Sequence, residues 1–169
     1  MSFVTRNVVR VILLNDNKEL LLMCVENTKI VTVDGKSQGR FWLSIGGEIK
    51  SNESIQDAAI REIYEEAGIE KKEIELGPIV WFGECDLICN GILTRFKQKF
   101  MIAKTKQNNV FLNQLSPEEK GVVKKLEWFS LEKMQNSCEK IHPILLPKYL
   151  SNILLEKYPK KPIEIDLTK

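Results

Sequence analysis

Short apolar runs rich in β-branched residues recur along most of the chain, and polar turn residues separate them. Runs of this kind predict β-strands, which we place at residues 8–14, 20–25, 41–45, 74–85, 92–103 and 125–130. The polar residues 15–17 predict a hairpin between the first two strands, and Asn90-Gly91 predicts a tight turn before the fifth. Gly77-Pro78 predicts a break within the fourth.

The hydrophobic period changes to that of a helix in two segments. Residues 52–67 have apolar side chains at helical spacing, with serine and asparagine caps in front and Gly68 directly behind. Residues 143–158 have one apolar face, formed by Leu146, Leu150, Ile153 and Leu154. These two periods predict two helices.

Polar segments complete the pattern. Residues 27–40, with a turn signal at Asp34-Gly35, and residues 104–120 predict loops, while the tail at 159–169 predicts an edge strand. Strands and helices in this order predict one mixed α/β domain over residues 1–169 with antiparallel pairings. A length of 169 residues is enough for one domain with a core of its own.

The composition is that of an ordinary globular protein, with 43% hydrophobic and 28% charged residues. The formal net charge of +2 is far smaller than that of dedicated nucleic-acid binders. The chain has a single histidine, His142, which excludes a metal site built from several histidines and disfavours a hydrolase triad.

The sequence shows no secretory signal and no membrane-spanning run, which favours a cytoplasmic location with no membrane partner. Residues 1–16 lack the long apolar core and cleavage site of a signal peptide. The apolar runs are also much shorter than the roughly 20 residues that span a bilayer. The four cysteines have no close-paired zinc spacing, so we expect reduced thiols.

The small net charge conceals a strong separation of charge along the chain. Residues 47–69 contain six acids against two bases, a net charge of −4, so the remainder carries +6. Residues 91–110 contain five bases and no acid. A separation of this size in a nearly neutral protein indicates two surfaces with different partners.

The acidic segment places its carboxylates at a distinctive position on the second half of the predicted helix. At 100° per residue, Glu62, Glu65 and Glu66 share an arc of about 100° that adjoins the apolar face. Clustered oxygen ligands with access to water are what Mg²⁺ and Mn²⁺ select. The alternative is a row of solvated surface glutamates, but the Gly46-Gly47 turn, Glu53 and Arg61 nearby favour the metal site.

These residues resemble a known motif. Gly47 is followed after five residues by Glu53 and, after seven more, by the run Arg61-Glu62-Ile63-Tyr64-Glu65-Glu66-Ala67-Gly68-Ile69. Every defined position of this 23-residue pattern matches the Nudix box, and the predicted strand order is similar to that of the Nudix hydrolase superfamily. One departure is Ile45, where many members of the family have proline.

The resemblance implies a fold and a reaction. The fold is an α/β/α sandwich with a mixed, largely antiparallel sheet. The reaction is hydrolysis of the diphosphate linkage of a nucleoside diphosphate derivative, with Mg²⁺ or Mn²⁺ as cofactor. Carried over by position, the metal ligands would be the carbonyl of Gly46 and the carboxylates of Glu62, Glu65 and Glu66.

The resemblance also implies roles for the other residues of the box. Glu62 is the first candidate for positioning or deprotonating the attacking water. Arg61 would orient the glutamates by ion pairing, and Glu53 would stabilise the geometry of the loop and helix. A further acid often comes from a later loop in the family. Glu118 and Glu119 are the candidates here, although Ser-Pro-Glu-Glu is also a typical helix start.

Substrate contacts are less specified than the box. Arg95, Lys97 and Lys99 alternate with Phe96, Gln98 and Phe100, so a strand would place three cations on one face. That face would either bind phosphate or simply face solvent. Further candidates for substrate contact, each with a plain structural alternative, are Trp81 for base stacking and Lys36 and Arg40 for phosphate.

The markers of particular substrates are mostly absent. Cys85 stands where some ADP-ribose hydrolases have proline, and no tyrosine follows where some diadenosine polyphosphate hydrolases have one. A MutT-like nucleoside triphosphate pyrophosphohydrolase is therefore the first hypothesis, with a nucleotide-sugar or dinucleotide hydrolase close behind. A nucleotide-sensing module without catalysis, an RNA-end processing enzyme and a homodimer remain open alternatives.

Overall fold

The computed structural model describes residues 3–168, so residues 1, 2 and 169 of the predicted domain lie outside the description. The strands within this range are β1 (Phe3–Leu14), β2 (Leu20–Glu26), β3 (Ile30–Thr32), β4 (Arg40–Ser44), β5 (Gly46–Glu48), β6 (Ile74–Cys89), β7 (Ile92–Thr105), β8 (Val123–Phe129), β9 (Ile141–His142) and β10 (Ile163–Glu164). The helices are α1 (Ile55–Ala67), α2 (Leu131–Gln135) and α3 (Leu146–Leu154).

All ten strands belong to one mixed sheet. Its main path runs β10-β6-β7-β1-β2-β4-β9, with β3 pairing β6, β5 pairing β1 and β8 pairing β2. Three pairs are parallel, of which β1 with β7 is the longest, and the other six are antiparallel. The predicted mixed, largely antiparallel sheet is confirmed.

Helices cover the two faces of the sheet and create two core clusters. On one face α1 packs Ala59, Ile63 and Ala67 against β1, β2 and β7. On the other face α3 packs Leu146 and Leu150 against a cluster rich in aromatic side chains. This layering is the predicted α/β/α sandwich, and it places the acidic half of α1 at the edge of its own buried face.

Local turn chemistry works as the sequence predicts. The side chain of Asn15 is buried between β1 and β2, and its Oδ1 accepts hydrogen bonds from the backbone amides of Asn17 and Glu19, both at 3.0 Å. Asn90 and Gly91 both have positive φ, of 50° and 79°, and they connect β6 to β7. Such a pair of left-handed residues is typical of a two-residue hairpin turn.

Several predicted elements differ from the structure in their bounds, and β1 begins five residues earlier than predicted, at Phe3. The strand at residues 74–85 is not broken at Gly77-Pro78, because β-bulges absorb the irregularity and β6 continues to Cys89. The predicted helix at 143–158 is shorter at both ends. Pro147 lies in the first turn of α3, the position that tolerates a missing amide hydrogen, and the positive φ of Glu156 (57°) follows its last turn.

The termini of α1 follow the sequence closely. Ser54 is the N-cap, and its side-chain oxygen accepts a hydrogen bond from the amide of Asp57 at 3.0 Å. Gly68 has a left-handed φ of 73°, and its amide donates to the carbonyl of Tyr64 at 2.9 Å. Hydrogen bonds therefore cap α1 at both ends and fix where it begins and ends.

Two further expectations can be compared with the described residues. All four cysteines have free thiols, in agreement with the prediction. Among residues 3–168, no helix is both long and apolar enough to cross a membrane.

Candidate active site

The glycine turn brings the backbone of β5 against both β1 and α1. Gly46 pairs with Arg10 of β1 and has a φ of 141°, and a β-carbon at this position would lie 2.0 Å from the carbonyl oxygen of Val9. A β-carbon on Gly47 would lie 2.3 Å from Oε1 of Glu62. Only glycine fits at residue 46, where the backbone of β1 occupies the space, and a side chain at residue 47 would displace the carboxylate of Glu62.

Two glutamates of α1 point into the protein. Glu62 is 6% exposed and Glu66 only 1% exposed. The amide of Gly46 donates a hydrogen bond to Oε2 of Glu66 at 3.0 Å. Burial raises the pKa of both carboxyl groups, and the charge of Glu62 raises the pKa of Glu66 further. A pair of buried carboxylates of this kind favours a cation nearby.

Arg61 connects the acids of the segment. Its Nε and Nη2 donate to the two carboxylate oxygens of Glu53 at 2.7 and 2.9 Å, and Nη2 also donates to the carbonyl of Glu48 at 3.0 Å. Its Nη1 lies 2.8 Å from Oε1 of Glu62 and 3.2 Å from Oε2 of Glu65. The arginine thus fixes the helix to the loop before it and orients two of the predicted ligands.

This network is reflected in the ionisation of its members. The hydrogen bonds from Arg61 lower the pKa of Glu53 to about 2. In turn, the hydrogen bonds to Glu53 and Glu62 raise the pKa of Arg61. Glu53 is thus paired with Arg61, which it shares with Glu62 and Glu65. It remains ionised at any pH near neutrality.

The acids line an open cleft of about 680 Å³ between α1 and the loop after β7, which we name the acidic cleft. Lys50 and Arg61 are the bases in its lining. Five of its lining residues are acids: Glu48, Glu62, Glu65, Glu118 and Glu119. The structure thus brings both loop acids to the same cleft as the box.

The loop after β7 reaches the cleft because it binds the C-terminal end of α1. The backbone amides of Phe111 and Gln114 donate to the carbonyls of Ala67 and Glu65 at 3.2 and 2.7 Å. Carbonyls in the last turn of a helix have no partner within it, so an outside donor satisfies them. This contact depends on the fold and could not be predicted from the sequence of the loop.

Glu119 forms two hydrogen bonds with Ser116. Oε1 of Glu119 accepts a hydrogen bond from the amide of Ser116 at 3.0 Å, and the Ser116 hydroxyl accepts one from the amide of Glu119 at 3.3 Å. This is the reciprocal arrangement of a capping box, although a turn and no helix follows. Glu119 lines the acidic cleft together with Glu62, and its charge contributes to the raised pKa of Glu62 and Glu66.

The donor set fits a hard divalent cation in its chemistry. The candidate ligands are carboxylate and carbonyl oxygens, which such cations prefer, and a cation would relieve the repulsion between Glu62 and Glu66. As they stand, no three acidic, cysteine or histidine side chains within residues 3–168 are arranged to hold a metal ion. Arg61 Nη1 instead lies between Glu62 and Glu65.

One charged residue near the site was missed by the sequence analysis. Arg10 lies on β1, where its Nε donates to Gln98 at 3.1 Å and its Nη1 approaches the carbonyls of Ser44 and Gly46 at 3.3 and 3.4 Å. Burial lowers the pKa of Arg10, and the charges of Glu66 and Glu62 oppose that effect. The available signal was an arginine within an otherwise apolar strand, which requires a buried partner.

Lys97 and Lys99 of β7 line a second cleft, which we name the lysine cleft. It has a volume of about 460 Å³, and its lining side chains include Asn7, Ile49, Phe82, Glu84, Lys97 and Lys99. Arg95 is not part of this lining, because it forms a two-point ion pair with Asp86 at 2.8 and 2.9 Å and lies over the ring of Phe3. Phe100, on the opposite face of β7, is in the core.

Three other candidates lie away from both clefts. Trp81 is only 3% exposed and packs against Phe100 and Tyr149, so in this structure it is a core residue and has no free face for a base. Arg40 donates to the sulfur of Cys24 at 3.1 Å, and Lys36 is exposed and paired with Asp34 at 3.0 Å. The structure does not bring these residues to the acidic cleft.

Solved structures with this fold include several hydrolases. A MutT protein from Methanosarcina mazei Go1 has a TM-score of 0.62 at 19% identity, covering 95% of this chain and 99% of its own. An Ap4A hydrolase from C. elegans has a TM-score of 0.57 at 20% identity, covering 89% and 98%. An ADP-ribose pyrophosphatase from Streptococcus suis has a TM-score of 0.56 at 15% identity, covering 95% and 98%.

These likenesses establish the fold, and their different substrates leave the substrate of this chain open. The model of the NUDIX domain matches residues 4–149, which is most of the chain and includes the whole of the acidic segment. The chain therefore belongs to the NUDIX domain family, which confirms the resemblance and, at the level of enzyme class, the prediction of a Nudix-type pyrophosphohydrolase.

Proposed function

We propose that this chain hydrolyses a phosphoric anhydride bond of a nucleoside diphosphate derivative in the acidic cleft, with Mg²⁺ or Mn²⁺ as cofactor. Nudix hydrolases generally use divalent metal ions. The observation that carries the proposal is a pair of buried carboxylates on α1: Glu62, which lines a cleft together with four further acids, and Glu66, one helical turn further along the same helix. Surface glutamates with no function would be exposed to solvent, where their charges are not costly.

The ligands that we assign are the carboxylates of Glu62, Glu65 and Glu66 and the carbonyl of Gly46. When bound there, a divalent cation neutralises the diphosphate and lowers the pKa of a bound water. Arg61 holds Glu62 and Glu65 by one oxygen each, which fixes the direction of both carboxylates. Arg61 and Glu53 therefore act on the reaction by positioning these ligands.

The proton of the attacking water requires an acceptor in the same cleft. Glu62 is our first assignment for positioning or deprotonating this water, and Glu118 and Glu119 are the alternatives from the loop. The hydrogen bond from the amide of Ser116 orients the carboxylate of Glu119. Glu118 lines the cleft beside it, so both acids have access to a bound substrate.

Nucleoside triphosphates are the substrate class that we place first, with dinucleotides and nucleotide sugars behind them. The test is a hydrolysis screen of all three classes with Mg²⁺, with Mn²⁺ and with EDTA, in which each product is identified by mass. We expect products of anhydride cleavage that form only when the metal is present. If none of the three classes is hydrolysed, the proposal is contradicted.

A nucleotide-sensing module is the alternative from a different functional class. It would bind a nucleotide tightly without metal and release no product. The buried pair of carboxylates argues against such a module, since two buried like charges destabilise the fold and a pure sensor has no use for them. Calorimetry with and without metal, on the same nucleotides as the screen, separates the two functions.

A further inference from the structure

The lysine cleft adjoins the acidic cleft, and the two share one wall. Ile49 lines both clefts, and its amide is bound to the carbonyl of Asn7 at 2.9 Å. Immediately before it, Glu48 of the acidic cleft pairs with Val8 of the lysine cleft. A ligand that extends past Ile49 would therefore pass from the acids to the lysines.

The register of the sheet explains why the lysines face this way. Lys97 lies opposite Glu84, and Lys99 lies opposite Phe82, so these four side chains share one face of the sheet. Further along the same face of β7, Met101 and Ala103 are covered by α1. The lysine cleft is thus the continuation of the α1 face beyond the helix.

The cleft has an excess of positive charge. Its lining contains two lysines and one acid, and the one ion pair that Lys97 forms there, with Glu84, is long at 3.7 Å. Phe82, which is 38% exposed, and Ile49 supply apolar walls. Charged donors at the side of a partly apolar concave surface are typical of a site for a small anion or nucleotide phosphate.

We propose that the lysine cleft binds a phosphate of the substrate other than the two joined by the bond that is cleaved. This inference rests on the proposed function, and it identifies the substrate as a nucleotide with three or more linked phosphates. A nucleoside triphosphate or a dinucleoside polyphosphate meets this requirement. A nucleotide sugar whose sugar is uncharged does not, because beyond its diphosphate it has no anionic group for Lys97 and Lys99 to bind.

Inorganic tripolyphosphate and pyrophosphate are the probes that test the site directly. Their dissociation constants are measured by calorimetry with Mg²⁺ in a Glu65→Gln background, which prevents turnover. We expect Lys97→Gln and Lys99→Gln each to weaken tripolyphosphate binding by about threefold in low salt and to leave pyrophosphate binding unchanged. Lys106→Gln, which removes a charge from the same basic segment outside both clefts, is the matched control and should change neither.

Two results would overturn the inference. One is unchanged tripolyphosphate binding in both lysine variants, and the other is equal weakening in Lys106→Gln, which would indicate only a general effect of net charge. Failure of the proposed function is separate, because it would appear as absence of hydrolysis in the screen while the tripolyphosphate constants still respond to Lys97 and Lys99. In the wild-type background, the same variants should raise KM for a nucleoside triphosphate and leave kcat unchanged.

Discussion

The acidic cleft and the lysine cleft differ in how their charges are held. At the acidic cleft, Arg61 makes hydrogen bonds of 2.7–3.2 Å to the carboxylates of Glu53, Glu62 and Glu65, and Glu62 is buried. In the lysine cleft, Lys97 and Lys99 are exposed on a strand, and the pair between Lys97 and Glu84 is 3.7 Å long. The first surface is rigid and the second is adaptable.

This difference corresponds to two tasks within one reaction. Chemistry at phosphorus requires ligands fixed to within fractions of an ångström, because a small misplacement costs a large factor in rate. Recognition of a phosphate chain by lysine requires only charge and reach, because the ammonium group donates in any direction. We therefore expect changes in the acidic cleft to affect kcat and changes in the lysine cleft to affect KM.

Among changes to residues that support the ligands, Gly47→Ala should lower kcat the most. The new β-carbon would lie 2.3 Å from Oε1 and 2.7 Å from Cδ of Glu62, so the carboxylate must move. We expect kcat to fall by about a hundredfold or more. Steady-state kinetics with a nucleoside triphosphate, alongside thermal unfolding, provides the measurement.

Gly77→Ala is the control for this glycine, since its new β-carbon would meet Ile102 at 3.1 Å in the core, remote from the clefts. It should lower the melting temperature and leave kcat close to that of the wild type. A Gly47→Ala enzyme with unchanged kcat would show that the position of Glu62 does not limit the reaction.

Arg61→Lys should have the next largest effect. Lysine keeps the charge but cannot donate in parallel to both oxygens of Glu53 and also reach Glu62 and Glu65. We expect about tenfold lower kcat and a loss of about 1–3 kcal/mol in the free energy of unfolding. If chemical denaturation and kinetics both match the wild type, Arg61 does not position the ligands.

The box could be predicted from the sequence because its geometry is local. Glu62, Glu65 and Glu66 lie within one turn and a half of a helix whose caps, Ser54 and Gly68, are also visible in the sequence. Arg10 was missed because its partners, Gly46 and Gln98, belong to strands that only the sheet brings next to β1.

Strand faces were harder to predict where the alternation of side chains is interrupted. Val80 and Trp81 are adjacent in sequence, yet both belong to the core on the α3 side, because bulges shift the register of β6. For Trp81 the structure agrees with the plain alternative to base stacking, a side chain in the core. β3, β5 and α2 were missed for a different reason, since segments of three to five residues have too few positions for a period.

Glu53→Gln should change stability more gently and in a way that depends on pH. The folded-state pKa of Glu53 is about 2, below its ordinary value of 4.5, so its contribution to stability is complete above pH 4.5 and is lost as the pH falls towards 2. We expect the wild type to exceed the variant by about 1 kcal/mol at pH 7. Urea denaturation from pH 7 to pH 2.5 should show this difference shrinking, whereas a constant difference would contradict the ion pair.

Lys99→Gln should give the smallest effect and one that salt removes. Exposed charges are screened within about 10 Å at 0.1 M salt, so the lysine cleft should lose its advantage as salt is added. We expect KM for a nucleoside triphosphate to rise about threefold in low salt and to converge with the wild type at 0.5 M salt. A KM difference that salt leaves unchanged would indicate a rigid contact. The lysine cleft would then not differ from the acidic cleft in how its charges are held.

The most direct test of the account is the turnover of Glu65→Gln, compared with Glu70→Gln as an exposed glutamate just beyond the box. Both variants should fold as the wild type does, judged by circular dichroism and melting temperature. We predict that Glu65→Gln lowers metal-dependent kcat by about a thousandfold, while Glu70→Gln leaves it unchanged. Turnover by Glu65→Gln within a few fold of the wild type would contradict the assignment of the acidic cleft as the active site.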